Sequence, residues 1–296
     1  MKKLEIYGLE LPFIEKSFDL AEGIINAVRE IGIDIDNGDV IVVTSKIMLK
    51  SKGLLIDLKS IKPSLKAKII NKLTGKDPIE TEIILRNSEK VYVIIPTGFL
   101  KEHLDKISKD VKSAEEALRS VKALMIVKMK NGIIASDAGL DYSNVPPGYA
   151  IVANHDFDHM AKELRNRIKS ICGKDVAVIV ADTEVFLSNG KVGSIDMAVG
   201  SSGIDPLARE FGERDLYGRP KFGGMDILVD EICAAAALLM KQTSERIPVV
   251  LIKGLHYKKS DLGVKDVLIT KYGSEAKRFL LKTLLLNIIL KMFRIL

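Results

Sequence analysis

The sequence predicts a mixed α/β protein with a large core. Three short, wholly apolar runs, at residues 40–43, 176–180 and 249–252, have the composition of strands buried on both faces. Longer segments between them carry apolar residues at helical spacing. The chain has 296 residues, of which 47% are hydrophobic, 28% are charged and two are cysteines. Disordered, collagen-like and disulfide-scaffold proteins are therefore excluded.

The first half of the chain alternates helices and strands. Apolar residues recur at helical spacing from Leu20 to Ile31, and Asp19 with Glu22 resembles a capping box before them. Residues 36–39 form a turn before the strand 40–43, which leads into residues 44–46. A lysine-rich helical stretch follows, and residues 91–95 and 123–127 are predicted strands.

The second half begins with an irregular segment. Residues 136–148 contain two glycines and two prolines and are predicted to form a loop. A strand at 149–153, a helix at about 160–171 and the strand 176–180 follow, and the last leads into Asp182 and Thr183. A glycine-rich stretch spans 189–203, a polar segment 212–219 and a helix about 230–240. No linker separates these elements, so any second domain interleaves with the first.

The positive charge is unevenly distributed along the chain. The formal net charge is +6, yet residues 46–76 hold nine lysines and one acid, and residues 274–296 hold five basic residues and one acid. A solvated surface is the usual reason for such patches, and a phosphate-bearing ligand is an alternative. Aromatic residues are 5% of the chain, and none lies in 46–76 to stack on bases. We therefore expect no nucleic-acid partner.

The sequence gives no sign of a membrane span or a secretion signal. The first residues carry mixed charge, and polar residues interrupt the apolar tail 279–296, which is too short and too charged to cross a bilayer. We expect that tail to be a helix packed on the domain or on a partner subunit, with an interfacial helix as the alternative. Cys172 and Cys233 lack metal-site spacing, so a reducing cytoplasm is the expected location.

Two acidic residues stand where a metal ion could bind. Asp182 follows an apolar strand, at the end of the strand where α/β proteins place ligand-binding groups. Asp141 lies in the proline- and glycine-containing loop. Mg²⁺ and Mn²⁺ prefer oxygen ligands, which these carboxylates and the Thr183 hydroxyl supply. The alternative is that Asp141 is a turn residue and Asp182 a strand-end cap.

A second group of polar residues follows the strand 40–43. On a helix that starts there, Lys46 and Lys50 share one face, close to Ser45. Two ammonium groups in this position suit a polyphosphate. The glycine-rich motif of P-loop proteins is absent from the sequence. Taken alone, these lysines fit a solvated surface equally well.

Other candidate sites have simpler explanations. His155 and His159 have the spacing of a zinc helix, but Asp156 and Asp158 between them are well placed to cap the following helix. No Ser-His-Asp arrangement is evident, so nucleophilic catalysis has no support.

Several motifs, in the same order along the chain, resemble one family. Residues 137–146, Asp-Ala-Gly-Leu-Asp-Tyr-Ser-Asn-Val-Pro, are similar to the Asn-Ala-Gly-x-Asp-x-Ser-Asn-Val segment of the coenzyme F420-0:γ-glutamyl ligase family. Residues 180–183 resemble its Val-Thr-Asp-Thr, and residues 212–219 its Gly-x-x-Asp-Leu-Tyr-Gly-Arg. Residues 8–12, 43–46, 240–242 and 247–250 also align. The resemblance covers roughly residues 4–256. We take residues 1–256 as one ligase-like domain and residues 257–296 as a C-terminal extension with an amphipathic helix.

The resemblance implies an intertwined, two-subdomain α/β fold outside the P-loop class, assembled as a butterfly-like homodimer. It implies a GTP-dependent ligase that adds L-glutamate to F420-0 through γ-linked amide bonds by way of an acyl phosphate. The implied ions are Mg²⁺ or Mn²⁺, as one or two divalent ions, with K⁺ as a possible addition. The implied metal ligands are Asp141, Asp182, Thr183 and Gln242, and the implied catalytic residues are Lys46 and Asp182. The implied GTP-binding residues are Leu11, Pro12, Phe13, Ile14, Ser45, Lys46, Lys50 and Asn144.

The sequence departs from the family pattern in two places. The family continues after Asp-Thr with arginines, whereas residues 184–191 here contain none. Asp137 stands where the family has Asn, which adds a negative charge near the expected metal. The missing arginines leave an amide ligase for another anionic acceptor as an alternative. Two further alternatives are a nucleotide-binding scaffold that has lost catalysis and a phosphate-binding or nucleic-acid module, which rests only on the basic patches.

Overall fold

The computed structural model describes residues 3–13, 17–188, 191–241, 245–268 and 273–292. Its strands are β1 (Glu5–Leu9), β2 (Val40–Thr44), β3 (Ile56–Asp57), β4 (Ser88–Pro96), β5 (Ala123–Met129), β6 (Ile134–Ser136), β7 (Tyr149–Ala150), β8 (Ala177–Ser188), β9 (Lys191–Ser202) and β10 (Val249–Lys253). Its helices are α1 (Leu20–Glu30), α2 (Ser45–Ser51), α3 (Leu65–Thr74), α4 (Pro78–Asn87), α5 (Leu104–Ile107), α6 (Val111–Ser120), α7 (Phe157–Cys172), α8 (Leu228–Met240) and α9 (Gly273–Met292). The predicted mixed α/β class is confirmed.

The largest sheet has five strands in the order β1-β10-β2-β8-β9. β2 and β8 are parallel neighbours, with Thr44 level with Ala181, and the other pairs are antiparallel. Val43 and its neighbours pack against α1, α2 and α7 on one face, and Val42 and its neighbours pack against α8 on the other. Burial on both faces explains the wholly apolar runs. Because β2 and β8 run in parallel, the residues that follow Val43 and Val180 meet at the same end of the sheet.

A smaller core lies beside this sheet. β4, β5 and β6 form an antiparallel sheet, and β3 pairs with β7. Ile83 and Ile84 of α4 pack against Met125 of β5 and against Ala138, which is fully buried. The start of the predicted loop 136–148 therefore belongs to this smaller core. The division into subdomains and a C-terminal extension stays a prediction.

The glycine-rich stretch forms a strand over most of its length. β9 pairs with β8 in a long hairpin, with Thr183 opposite Asp196. A Cβ at Gly200 would lie 2.4 Å from the carbonyl carbon of Phe157, so glycine allows α7 to cross this strand closely. Glycines at 193 and 200 are unusual in a strand and favour a loop, although Ile195, Met197 and Val199 alternate as strand residues do.

Helix α7 begins three residues earlier than predicted, at Phe157. Asp156 is its N-cap, since the Asp156 carboxylate accepts a hydrogen bond from the His159 N–H (3.0 Å). The capping prediction is confirmed for Asp156 and wrong for Asp158, whose buried carboxylate accepts from the backbone N–H groups of Ser201 and Val264. The predicted strand 149–153 is shorter than expected: β7 has two residues, and Ile151 adds an isolated bridge to Asp141.

The described side chains of α9, at residues 282–292, are mostly exposed, with Leu284 at 60% and Met292 at 73%. They therefore do not pack on the domain, and packing on a partner subunit stays a prediction. In the described ranges, no helix combines the length and the apolar character needed to cross a membrane.

Candidate active site

A cleft of about 790 Å³ opens at the carboxyl ends of β2 and β8. One wall is the corner where β2 leads into α2, and the other is the loop that follows β6. The structure brings ten of the predicted site residues together in this cleft: Leu11, Pro12, Phe13, Ser45, Lys46, Lys50, Asp141, Asn144, Asp182 and Thr183. Ile14 and Gln242 lie outside the described residues. The roles of all these residues stay predictions.

The β2–α2 corner follows from local sequence. The Thr44 side chain is the N-cap of α2 and accepts from the Ile47 N–H (3.3 Å), so the helix starts at Ser45. Lys46 and Lys50, one turn apart, therefore both reach the cleft. The Lys50 ammonium lies 5.3 Å from the Phe13 ring centre, a cation–π distance. Burial, followed by the charge of Lys46, lowers the pKa of Lys50.

The opposite wall is residues 137–144. Asp141 is held by a pair of backbone hydrogen bonds with Ile151 (3.0 Å each), and its carboxylate accepts from the Ser143 N–H (2.7 Å). The two walls meet in three contacts. Lys46 Nζ lies 2.6 Å from Asp141 Oδ2, Lys46 also donates to the Ser143 hydroxyl, and Lys50 donates to the Asn144 carbonyl (2.9 Å).

Asp182 forms the floor between the walls. The Ser45 hydroxyl donates to Asp182 Oδ1 (2.9 Å), which links the ends of β2 and β8. Burial raises the pKa of Asp182 to about 6, and the negative charge of Asp141 adds to the rise. A group that brings positive charge into the cleft would relieve this repulsion and favour the ionised carboxylate.

The donor set fits a hard divalent cation. In the described part of the chain, no three His, Cys, Asp or Glu side chains cluster as a complete metal site. However, Mg²⁺ in nucleotide sites is commonly held by one or two carboxylates, with phosphate and water oxygens completing the shell. Asp141 and Asp182 supply the carboxylates, and the cleft supplies hydroxyls from Ser45 and Thr183. The residues present therefore fit Mg²⁺ or Mn²⁺ bound together with a phosphate.

Sequence reasoning missed several residues in or beside the cleft. The buried carboxylate of Asp196 accepts from the Thr183 hydroxyl (2.7 Å) across the β8–β9 hairpin. Glu184 accepts from the N–H and hydroxyl of Ser136, and burial raises its pKa to about 7. Only the hairpin register could have revealed Asp196. Arg246 and its neighbours also line the cleft, although their sequence gave no signal.

One segment that carries the resemblance lies outside the cleft. Residues 212–219 are absent from its lining and are exposed, with Leu216 at 101% and Tyr217 at 83%. The structure therefore does not bring this motif together with the lysines and carboxylates of the same chain.

The fold and the cleft define an α/β protein in which lysines and carboxylates face each other at the end of a sheet, without a P-loop motif. The family model for F420-0:γ-glutamyl ligase matches residues 8–254. The chain belongs to the F420-0:γ-glutamyl ligase family.

Curated relatives agree with this assignment. The chain is 35% identical over 237 residues to the coenzyme F420:L-glutamate ligase of Methanopyrus kandleri, covering 80% of this chain and 81% of the relative. It is 32% identical over 268 residues to the ligase of the same name from Methanothermobacter thermautotrophicus, covering 90% and 95%. The ligase of that name from Archaeoglobus fulgidus is 33% identical over 258 residues, covering 86% and 89%.

Proposed function

We propose that this protein joins L-glutamate to coenzyme F420-0 through an amide bond, using GTP and a divalent metal ion. One observation carries the proposal. The chain belongs to a γ-glutamyl ligase family, and the cleft at the ends of β2 and β8 places two lysines of the β2–α2 corner opposite Asp141 and Asp182. Cations facing hard oxygen ligands are what a metal-bound triphosphate requires.

The chemistry requires activation of a carboxylate. A carboxylate is a poor electrophile, so an oxygen of the F420-0 carboxylate attacks the γ-phosphorus of GTP, and GDP leaves. The glutamate amine then attacks the carbonyl carbon of this acyl phosphate, inorganic phosphate leaves with the bridging oxygen, and the amine loses a proton. Both steps depend on positioning and charge stabilisation, and neither needs a nucleophile from the protein.

The residues of the cleft have different roles in the proposed reaction. Lys46 and Lys50 bind phosphate oxygens and offset the negative charge that grows on them during transfer. Asp141 and Asp182 would hold the metal ion, which would neutralise phosphate charge. Leu11, Pro12, Phe13 and Asn144 line the rest of the nucleotide site. Lys46 moves from Asp141 toward phosphate when the nucleotide binds.

One feature of the sequence speaks against F420-0 as the molecule that accepts glutamate. Residues 184–191 contain no arginine, although the family pattern has arginines after Asp-Thr. This observation favours, as a second candidate, an amide ligase for a different anionic acceptor.

The test is a reaction of the purified protein with F420-0, L-glutamate, GTP and Mn²⁺, analysed by mass spectrometry and by GDP release. We expect GDP together with a product heavier by one glutamate residue. GDP formation only with another acceptor would establish the second candidate. Nucleotide binding without turnover for any acceptor would indicate a scaffold protein. ATP in place of GTP tests the nucleotide preference in the same assay.

Isotope transfer tests the acyl phosphate separately. With F420-0 labelled with ¹⁸O in its carboxylate, one ¹⁸O should appear in each inorganic phosphate released. Unlabelled phosphate beside a normal amide product would rule out this intermediate while leaving the ligase activity intact.

A further inference from the structure

Lys76 is a buried lysine with no part in the proposed chemistry. It lies between α3 and α4, and 2% of its side chain is exposed. Its ammonium donates to the Ala123 carbonyl of β5 (2.8 Å) and to Asp137 Oδ2 (3.0 Å). A charged lysine is almost never fully buried unless it is paired, so the Asp137 carboxylate is the partner that allows this placement.

Asp137 begins the turn that leads to the cleft wall. Asp137, Ala138 and Gly139 have φ values of 49°, 56° and 62°, all in the left-handed region. Asp tolerates this conformation better than most non-glycine residues, whereas Ala adopts it only when the surroundings impose it. The Asp137 carboxylate supplies that constraint, because its second oxygen accepts from the Met125 N–H of β5 (2.8 Å). Lys76 and β5 thus fix both oxygens of the residue that starts the turn.

The residues after the turn are those that face Lys46 and Lys50. Asp141, Ser143 and Asn144 all line the cleft, and no more than seven residues separate them from Asp137. Tyr142, between them, lies close to Glu80, which is itself 3.7 Å from Lys76 Nζ. The segment 76–80 therefore contacts the loop near both of its ends.

We propose that Lys76 is a positioning residue that, through Asp137, holds the loop 137–144 in the conformation that builds one wall of the cleft. The pair also explains how this chain tolerates Asp137 where the family pattern has Asn. Lys76 neutralises the negative charge of Asp137, so Asp137 adds no unpaired charge near the proposed metal site. The loop-holding role stands on these contacts alone, whereas its effect on catalysis rests on the proposed function.

Hydrogen exchange of the full-length chain, followed by mass spectrometry, tests the loop-holding role without reference to activity. In Lys76→Met, which keeps the aliphatic stem, we expect amides of 137–144 to exchange about tenfold faster while those of β8 are unchanged. The matched control is Lys72→Met, on the exposed side of α3, which should leave the loop as in the wild type. Wild-type exchange of the loop in Lys76→Met, or uniformly faster exchange throughout the chain, would overturn the proposal.

Variants at Asp137 keep the test decisive if Lys76→Met fails to fold. Asp137→Asn removes the negative charge that pairs Lys76, and its side-chain N–H₂ must face one of the two donors, so it should raise loop exchange about tenfold, as should Asp137→Ala. The neutral double variant Lys76→Met/Asp137→Asn should fold and still show faster loop exchange. Equal protection of the loop in Asp137→Ala and the wild type would refute the role of the pair.

Kinetics then connect the loop to the proposed reaction. In Lys76→Met we expect the KM for GTP to rise about tenfold with kcat changed less than about threefold, because bound nucleotide can still order the loop. A fall in kcat with unchanged KM would contradict this. If neither the wild type nor any variant ligates glutamate, the proposed function fails. The positioning role of Lys76 still stands in that case, provided that hydrogen exchange of the loop changes as expected.

Discussion

The two walls of the cleft are built by different means. The β2–α2 corner is determined locally: an apolar strand, an N-cap at Thr44 and two lysines one turn apart place cations at the end of the sheet. The loop 137–144 has no regular structure over most of its length. Residues outside the loop hold it: Lys76, 61 positions away, at one end and Ile151 near the other. The sequence alone therefore predicts the β2–α2 wall but not the loop wall, because only the β2–α2 wall is determined by residues that are neighbours in the chain.

The largest effect is expected where the walls meet. Asp182→Ala or Asp141→Ala should each reduce turnover by about a thousandfold or more, since either change removes a carboxylate proposed to hold the metal, and Asp182 also binds Ser45. Steady-state GDP release with F420-0 and glutamate measures this. The control is Asp105→Ala, an exposed carboxylate on α5, which should retain full activity. Normal turnover in either cleft variant would remove that residue from the metal site.

Loss of a cation from the locally determined wall should act mainly on the nucleotide. Lys46→Ala should raise the KM for GTP by about 10- to 100-fold, because an ammonium group that binds phosphate is lost. Lys66→Ala, in the same basic stretch but exposed on α3, is the matched control and should be unchanged. An unchanged KM in Lys46→Ala would mean that this wall does not contact phosphate.

A methyl group added to the other wall should disturb its shape. Gly139 has φ +62°, and a Cβ there would lie 2.4 Å from Ala153 Cβ and 3.3 Å from Asp182 Oδ2. Gly139→Ala should therefore lower the melting temperature and raise the KM for GTP about tenfold. Gly148→Ala shares the positive φ but meets no atom within 4 Å, so it should cost only the backbone strain, about 1 kcal/mol. If the two variants behave alike, the close approach at Gly139 is unimportant.

The smallest effect concerns the core behind the loop. Glu82 of α4 accepts from the Ser64 N–H and from Arg86 (2.8 Å each), and these contacts lower its pKa from 4.5 to about 2. A lowered pKa means that this carboxylate adds stability above pH 4.5 and that its contribution disappears as the pH falls toward 2. Glu82→Gln should therefore be less stable than the wild type at pH 7, by about 1 to 2 kcal/mol. Urea unfolding should show the difference narrowing between pH 4.5 and pH 2, and a constant difference would contradict the assignment.

The sequence reveals the fold class and the local half of the site. Apolar runs identify β2, β8 and β10 because these strands are buried on both faces, and a residue such as Asp182 is conspicuous at the end of such a run. The family resemblance adds Asn144 and Leu11, which have no physical signal of their own.

The remainder depends on tertiary structure. The glycines of β9 conceal a strand, so the pairing of Thr183 with Asp196 cannot be read from composition. The contact between Lys76 and Asp137 joins residues 61 positions apart, and no periodicity connects them. Local patterns predict elements, whereas these contacts exist only once the elements have paired and packed in the folded chain.

The most direct test of the account is a crystal structure with a non-hydrolysable GTP analogue and Mn²⁺. The central claim is that the two walls hold one metal-bound triphosphate between them. We expect the phosphates beside Lys46 and Lys50, and an anomalous manganese peak between Asp141 and Asp182. A nucleotide bound outside this cleft, or manganese bound away from both carboxylates, would contradict the claim.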